Sequence, residues 1–245
     1  MKINKFKKVG KSKYKLIFDN TEIILYEDII LKYDLLIKND LDIDLIDKIL
    51  DENRYYEAYY LALHYIEIKM RNKKEIIKYL EKYNFDEKYI TFTLDKLTSM
   101  NLLNQNSYIQ AFINDKINLT TDGPYKIRKT LIEADFDESD IDKYLNSIDD
   151  EIWNEKLDKL INKKKNIMKS KSYYMFIQKL KNDLYNLGYD KELIDQKLSK
   201  IDYESDSIEK EFNKANKKFK GEKTKIINSL LRKGYSYEEI LNHFQ

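Results

Sequence analysis

The sequence predicts a mostly α-helical protein: four tandem three-helix units forming an elongated, curved stack, preceded by a small β-hairpin and short helices. Two observations predict it. A spaced apolar pattern returns four times at intervals of about 50 residues, and helix-stop and helix-start residues fall at the same point in each copy. The pattern is an apolar residue, Leu four on, an aromatic five on, Ile five on, then Leu or Phe four on. It reads Ile76, Leu80, Phe85, Ile90, Leu94; then Ile127, Leu131, Phe136, Ile141, Leu145; then Leu180, Leu184, Tyr189, Ile194, Leu198; then Ile226, Leu230, Tyr235, Ile240, Phe244. A unit of this kind buries its apolar face only against its neighbours, and such arrays commonly bind along other polymers.

From the N-terminus, Tyr14, Leu16 and Phe18 alternate with Lys15 and Ile17, Asp19 and Asn20 make a tight-turn pair, and Thr21 to Leu25 is apolar again. That predicts a hairpin, which needs helices to pack on. Apolar positions at spacings of three and four from Tyr26 to Tyr33 and from Asp42 to Glu52 predict two short helices. The organisation expected is an N-terminal segment over 1–53 and repeats over 54–100, 101–148, 149–202 and 203–245.

Each repeat opens with a longer amphipathic segment: Tyr55 to Met70, Gln105 to Leu119, Asp149 to Met168 and Ser205 to Phe219. Their apolar members recur helically, as with Ala58, Leu61, Ala62, Tyr65 and Ile66, or Tyr108, Ala111, Phe112 and Leu119. The second helix of repeat two starts at Pro124, where a first turn tolerates proline, and Asn72 is expected to cap its counterpart in repeat one. Before the signature aromatic stand Asn84, Asp135, Gly188 and Gly234, suited to a left-handed helix stop. After it stand Asp86, Asp137, Asp190 and Ser236, good N-caps. Aromatic and Ile then form a hydrophobic staple that sets the entry angle of the third helix.

Bulk composition narrows the function classes. With 42% apolar and 36% charged residues in a chain of 245, folding is expected rather than disorder. No run approaches the ~20 apolar residues of a membrane span, and the basic start has no apolar run behind it, so a cytoplasmic address is expected. Cysteine is absent, which removes thiolate metal sites and thiol catalysis. Five scattered glycines make no phosphate loop. His64 and His243 lie in different repeats and read as packing or surface residues. Asp40, Asp42 and Asp44 resemble the opening of a calcium loop, but Leu45 and Asp51 stand where Gly and Glu are required, so they read as helix-start residues. Trp153 reads as core. No cofactor, metal or catalytic group is expected.

Charge is segregated beneath a net +2. Met1 to Lys15 carries seven lysines and no acid, whereas Glu133 to Glu151 carries nine acids and one lysine. Lys163, Lys164, Lys165, Lys169 and Lys171 sit where the first helix of repeat three meets its second, and Lys214, Lys217, Lys218 and Lys220 hold the corresponding place in repeat four. Recurrence at one place in two units makes them candidates for contact with DNA phosphates or an acidic protein surface; solvated faces of a lysine-rich chain are the plainer alternative.

The stretch AYYLALHYIEIKMRNKKEIIKYLEKYNFDEKYI (Ala58 to Ile90) and the run LLNQNSYIQAFINDKINLTTDGPYKIRKTL (Leu102 to Leu131) resemble the RecX family of bacterial recombinase regulators in its longer Gram-positive form. Leu102, Leu103, Tyr108, Ala111, Phe112, Asp115, Gly123, Pro124 and Leu131 agree with the family pattern; Asn104, Gln105, Asn114 and Lys116 depart from it. The resemblance implies a monomeric, non-enzymatic regulator that lodges in the groove of the RecA filament on single-stranded DNA and mainly inhibits strand exchange and ATP hydrolysis. Arg71 and Arg128 resemble family arginines and join the contact candidates, with internal ion pairing as the other reading. A direct DNA-binding module is the alternative function, because a capped helix-turn-helix can present a helix to a groove.

Overall fold

The computed structural model describes residues 2–18, 21–167, 172–201 and 208–244. Two compact units, Met1–Tyr108 and Ile109–Gln245, divide the chain.

The first unit opens with β1 (Lys5–Lys8), β2 (Lys13–Ile17) and β3 (Glu22–Tyr26), paired antiparallel in the order β1-β2-β3. The expected hairpin is therefore a three-stranded sheet. Its extra strand, Lys-Phe-Lys-Lys, has a single apolar residue, Phe6, which pairs with Leu16 and packs on the sheet's core. The expected Asp19 and Asn20 turn lies outside the described residues.

After α1 (Glu27–Lys32) comes α2 (Ile43–Ile68), one helix of 26 residues. It merges the short helix expected over 42–52 with the first helix of repeat one, so the boundary expected between 53 and 54 falls inside it. Asn53 explains the continuity. Its side chain accepts the Tyr26 N–H at 2.8 Å and donates to the Ile24 carbonyl at 3.2 Å, tying the sheet edge to mid-helix. Two turns on, Tyr60 stacks on Tyr26 at 4.6 Å and donates to Asp28 at 2.9 Å. Leu16, Leu25, Ile29, Ile30, Leu35 and Ile49 close the core of this corner.

α3 (Lys73–Lys82) and α4 (Glu87–Ser99) pack on the second half of α2 around Ala58, Ala62, Ile76, Leu80, Leu94 and Leu97. Asn72 starts α3 with a reciprocal capping box: it accepts the Glu75 N–H, and Glu75 accepts the Asn72 N–H. α5 (Gln105–Leu119) carries the chain into the second unit, which continues with α6 (Pro124–Glu133) and α7 (Glu138–Leu145). α8 (Asp150–Ile167), α9 (Tyr173–Asn186) and α10 (Lys191–Leu198) follow, then α11 (Ile208–Phe219), α12 (Lys223–Leu231) and α13 (Tyr237–Leu241). α5 turns Ile109 and Ile113 inward, whereas Leu119, expected on that face, is 77% exposed. The face was assigned one residue out of phase, since Tyr108, Ala111 and Phe112 are only half-buried.

Leu80, Phe85, Ile90, Leu131, Phe136, Ile141, Leu184, Tyr189, Ile194, Leu230, Tyr235 and Ile240 are all buried. Asn84, Asp135, Gly188 and Gly234 have φ of 58, 65, 84 and 80°. Asp137, Asp190 and Ser236 accept backbone N–H bonds at the starts of α7, α10 and α13. Asp86 precedes α4 in extended backbone but makes no side-chain cap bond, so the left-handed stop and the side-chain cap act together at three of the four turns.

Candidate functional site

The cation clusters sit at helix ends. Lys164 and Lys165 close α8, and Lys217 and Lys218 close α11, where the negative end of the helix dipole favours positive charge. Lys164 bonds Asp183 on α9. Lys214 bonds Glu211 at 2.7 Å, which raises the lysine's pKa, and Lys233 meets the same carboxylate. Lys218 lies 5.3 Å over the Phe219 ring. Lys163, Lys165, Lys217 and Lys220 have no ion pair among the described residues, and Lys220 takes a left-handed φ of 50° as α11 ends. Lys169 and Lys171 lie outside the described residues.

Both arginine candidates are engaged within the chain. The Arg71 guanidinium lies 4.0 Å over the Tyr65 ring and bonds Glu75 at 3.2 Å, leaving its side chain 17% exposed. Arg128 forks onto Asp142 at 2.6 and 3.0 Å and reaches Glu138 at 2.7 Å, stapling α6 to α7. Its hydrogen bonds hold Asp142 below the usual carboxylate range.

The geometry also brings together residues that the sequence did not connect. Gly123, at the start of α6, donates to the Leu187 carbonyl at 2.6 Å, and Tyr125 N–H donates to the Gly188 carbonyl at 3.0 Å. One repeat later Ser172, at the start of α9, donates through Oγ to the Lys233 carbonyl at 2.7 Å, beside Gly234. In both places the start of one repeat's second helix seats on the left-handed turn of the next repeat. A Cβ added to Gly188 would meet the Lys126 nitrogen at 2.3 Å, and one on Gly234 would meet Ser172 Oγ at 2.8 Å. Glycine at these turns therefore serves close approach as well as positive φ.

Beside the first joint lies a buried polar hub. Asp122 receives Lys126 at 2.7 Å and Lys116 at 3.0 Å, while Lys156 donates to the Lys116 and Asp122 carbonyls at 3.0 and 3.1 Å. Burial pushes Asp122 upward, but the two lysine hydrogen bonds outweigh it and hold the carboxyl low. Burial pulls Lys156 down. The Tyr189 hydroxyl is buried without a partner, and burial together with the Asp122 charge pushes it up to about 12.

His64 pairs with Glu67 on the surface, and His243 lies against Phe212. Trp153 is buried. Asp42 and Asp44 stand at the start of α2. Among the described residues no cluster of His, Asp and Glu could hold a metal ion, and no helix is long and apolar enough to cross a membrane.

Residues 58–97, from α2 to α4, match the first three-helix domain of RecX. The regulatory protein RecX of Streptococcus agalactiae serotype V is 31% identical over 98% of this chain and 97% of its own length. The chain belongs to the RecX family. The RecX protein of Oceanobacillus iheyensis is 28% identical over 89% of this chain. A crystal structure of regulatory protein RecX superposes on 79% of this chain and 97% of its own, with a TM-score of 0.68 and 25% identity. RecX from Lactobacillus salivarius superposes on 61% of this chain with a TM-score of 0.55 and 26% identity. A regulatory role follows for this RecX-family chain. Ser172 carries no signal in the repeat pattern and Gly123 enters it only as a match to the family; aligning the repeats to place Gly123 over Ser172 and Tyr125 over Tyr174 was the available signal.

Proposed function

We propose that this chain binds, as a monomer in the cytoplasm, in the groove of the RecA filament on single-stranded DNA. There it modulates RecA recombinase and ATPase activity, mainly by inhibition, and so regulates recombination and DNA repair. Identity to RecX proteins over nearly the whole chain carries this reading. Exposed lysines without internal partners, Lys163, Lys217 and Lys220, support contact with an acidic or phosphate-bearing surface.

The direct DNA-binding reading is weaker on charge. The third helices carry Glu87, Glu138, Glu192 and Glu238 in their first turns, which would stand against phosphates if those ends entered a groove. Titrating the chain into a RecA ATPase assay on single-stranded DNA should lower the hydrolysis rate to a plateau. An unchanged rate, with no co-sedimentation on preformed filaments, defeats the reading; equal binding to naked DNA and to filament favours the alternative.

A further inference from the structure

The two joints of the second unit each open onto a surface furrow. The first, about 800 Å³, is lined by Tyr125, Lys129, Tyr185 and Lys191; the second, 440 Å³, by Tyr174, Met175, Leu231 and Arg232. Their registers coincide: Tyr125 and Tyr174 are each two residues beyond the residue that starts the helix, beside the next repeat's left-handed glycine. These tyrosines are 58 and 59% exposed. Two rings of equal exposure stand at equivalent places, the first beside a joint of backbone hydrogen bonds and the second beside the Ser172 hydroxyl contact, and make a pair of apolar contact points.

The charges around them are unequal in availability. Asp190 is committed to the Leu193 N–H at 3.0 Å and the Tyr125 hydroxyl at 3.3 Å, and Glu239 to the Ser236 N–H at 2.6 Å. Glu133 faces Lys129 at 3.9 Å. Lys191 and Arg232 have no ion pair among the described residues. Each furrow thus offers an aromatic face and one uncommitted cation. That suits an acidic side chain flanked by apolar ones, since tyrosine and arginine dominate protein hot spots. A nucleic-acid strand needs a continuous run of cations along its phosphates, and here acids interrupt the lining.

We propose that the two furrows are paired docking sites for acidic, apolar-flanked segments on successive subunits of a protein polymer. Equivalent furrows one repeat apart call for a partner that presents the same segment more than once. The proposal rests on the filament reading above and names the surface that would carry it.

The test compares the full chain with Y125S, Y174S and the double variant in co-sedimentation with RecA filaments on single-stranded DNA, alongside binding to the naked strand. Each single change is expected to weaken filament binding on the order of tenfold and the double by on the order of a hundredfold, with the thermal midpoint retained. K191E/R232E, which leaves the rings in place, is expected to show a comparable loss and serves if the tyrosine variants melt early. Wild-type binding with a double variant and a charge-reversed variant both within about threefold of it overturns the furrows and leaves the filament reading standing. Wild type that ignores the filament overturns both. Parallel loss on naked DNA assigns the furrows to nucleic acid and overturns the proposal.

Discussion

Four glycine substitutions separate backbone strain from crowding at the joints. Gly221 has φ of 82°, and an added Cβ would find nothing closer than Asn216 at 3.9 Å, so Gly221→Ala carries only the left-handed penalty. That penalty is roughly 1–2 kcal/mol. Gly123 has φ of −90°, where alanine is unstrained, yet its Cβ would meet the Gly188 oxygen at 2.6 Å and carbon at 2.7 Å. Backbone cannot rotate aside as a side chain can, so Gly123→Ala is expected to cost about 1–3 kcal/mol. Gly188 combines both effects, φ of 84° and a contact at 2.3 Å with the Lys126 nitrogen, for an expected loss of about 2–5 kcal/mol. Gly234→Ala should fall between, because the atoms it crowds belong to the Ser172 and Tyr174 side chains and can move. Urea unfolding followed by fluorescence of Trp153, the one tryptophan, reads the second unit directly. If Gly188→Ala costs no more than Gly221→Ala, the joint does not hold the repeats together and the reasoning fails.

Removing the capping box by Asn72→Ala should destabilise the first unit by about 1 kcal/mol; a thermal midpoint equal to wild type would show the box to be idle. Asp122→Asn removes a carboxylate held low by Lys126 and Lys116. A depressed native pKa contributes stability that is full above the ordinary value of 3.8 and lost as pH falls through the native value. The variant should therefore be less stable at neutral pH and lose less on acidification below that point, and urea midpoints across pH 2–7 check it. Replacing Lys163, Lys164 and Lys165 together with Gln should weaken filament or DNA association and flatten its salt dependence; unchanged affinity at every salt concentration would remove the α8 cluster from the interface.

Much of the helical framework was legible because local chemistry and packing agree at each turn. Asn84, Asp135, Gly188 and Gly234 stop a helix by backbone preference, the residue after the aromatic starts the next, and the aromatic and Ile close over the joint. Where a residue's role is set by something distant in sequence, the pattern was silent. Asn53 falls between the two helical segments expected over 42–52 and 55–70, but its amide pairs with the β3 backbone from inside the continuous α2. β1 was hidden because three lysines surround Phe6, and only pairing with β2 makes that segment a strand. The site was less legible still. Arg128 could equally have faced a partner or Asp142, and 14 residues of separation placed the answer beyond local pattern. The lysine clusters were visible as composition, but which lysines have internal partners is a property of the packed helices.

The uninterrupted α2 has a mechanical consequence. A helix of 26 residues spans about 39 Å, and the β-sheet is clamped near its middle by Asn53 while α3 and α4 grip its far half. Sheet and helix pair are thus mounted on a common axle. Torque applied to the basic sheet edge would be delivered to the α3–α4 pair instead of being absorbed at a hinge, so a partner gripping one end of this unit sets the heading of the other.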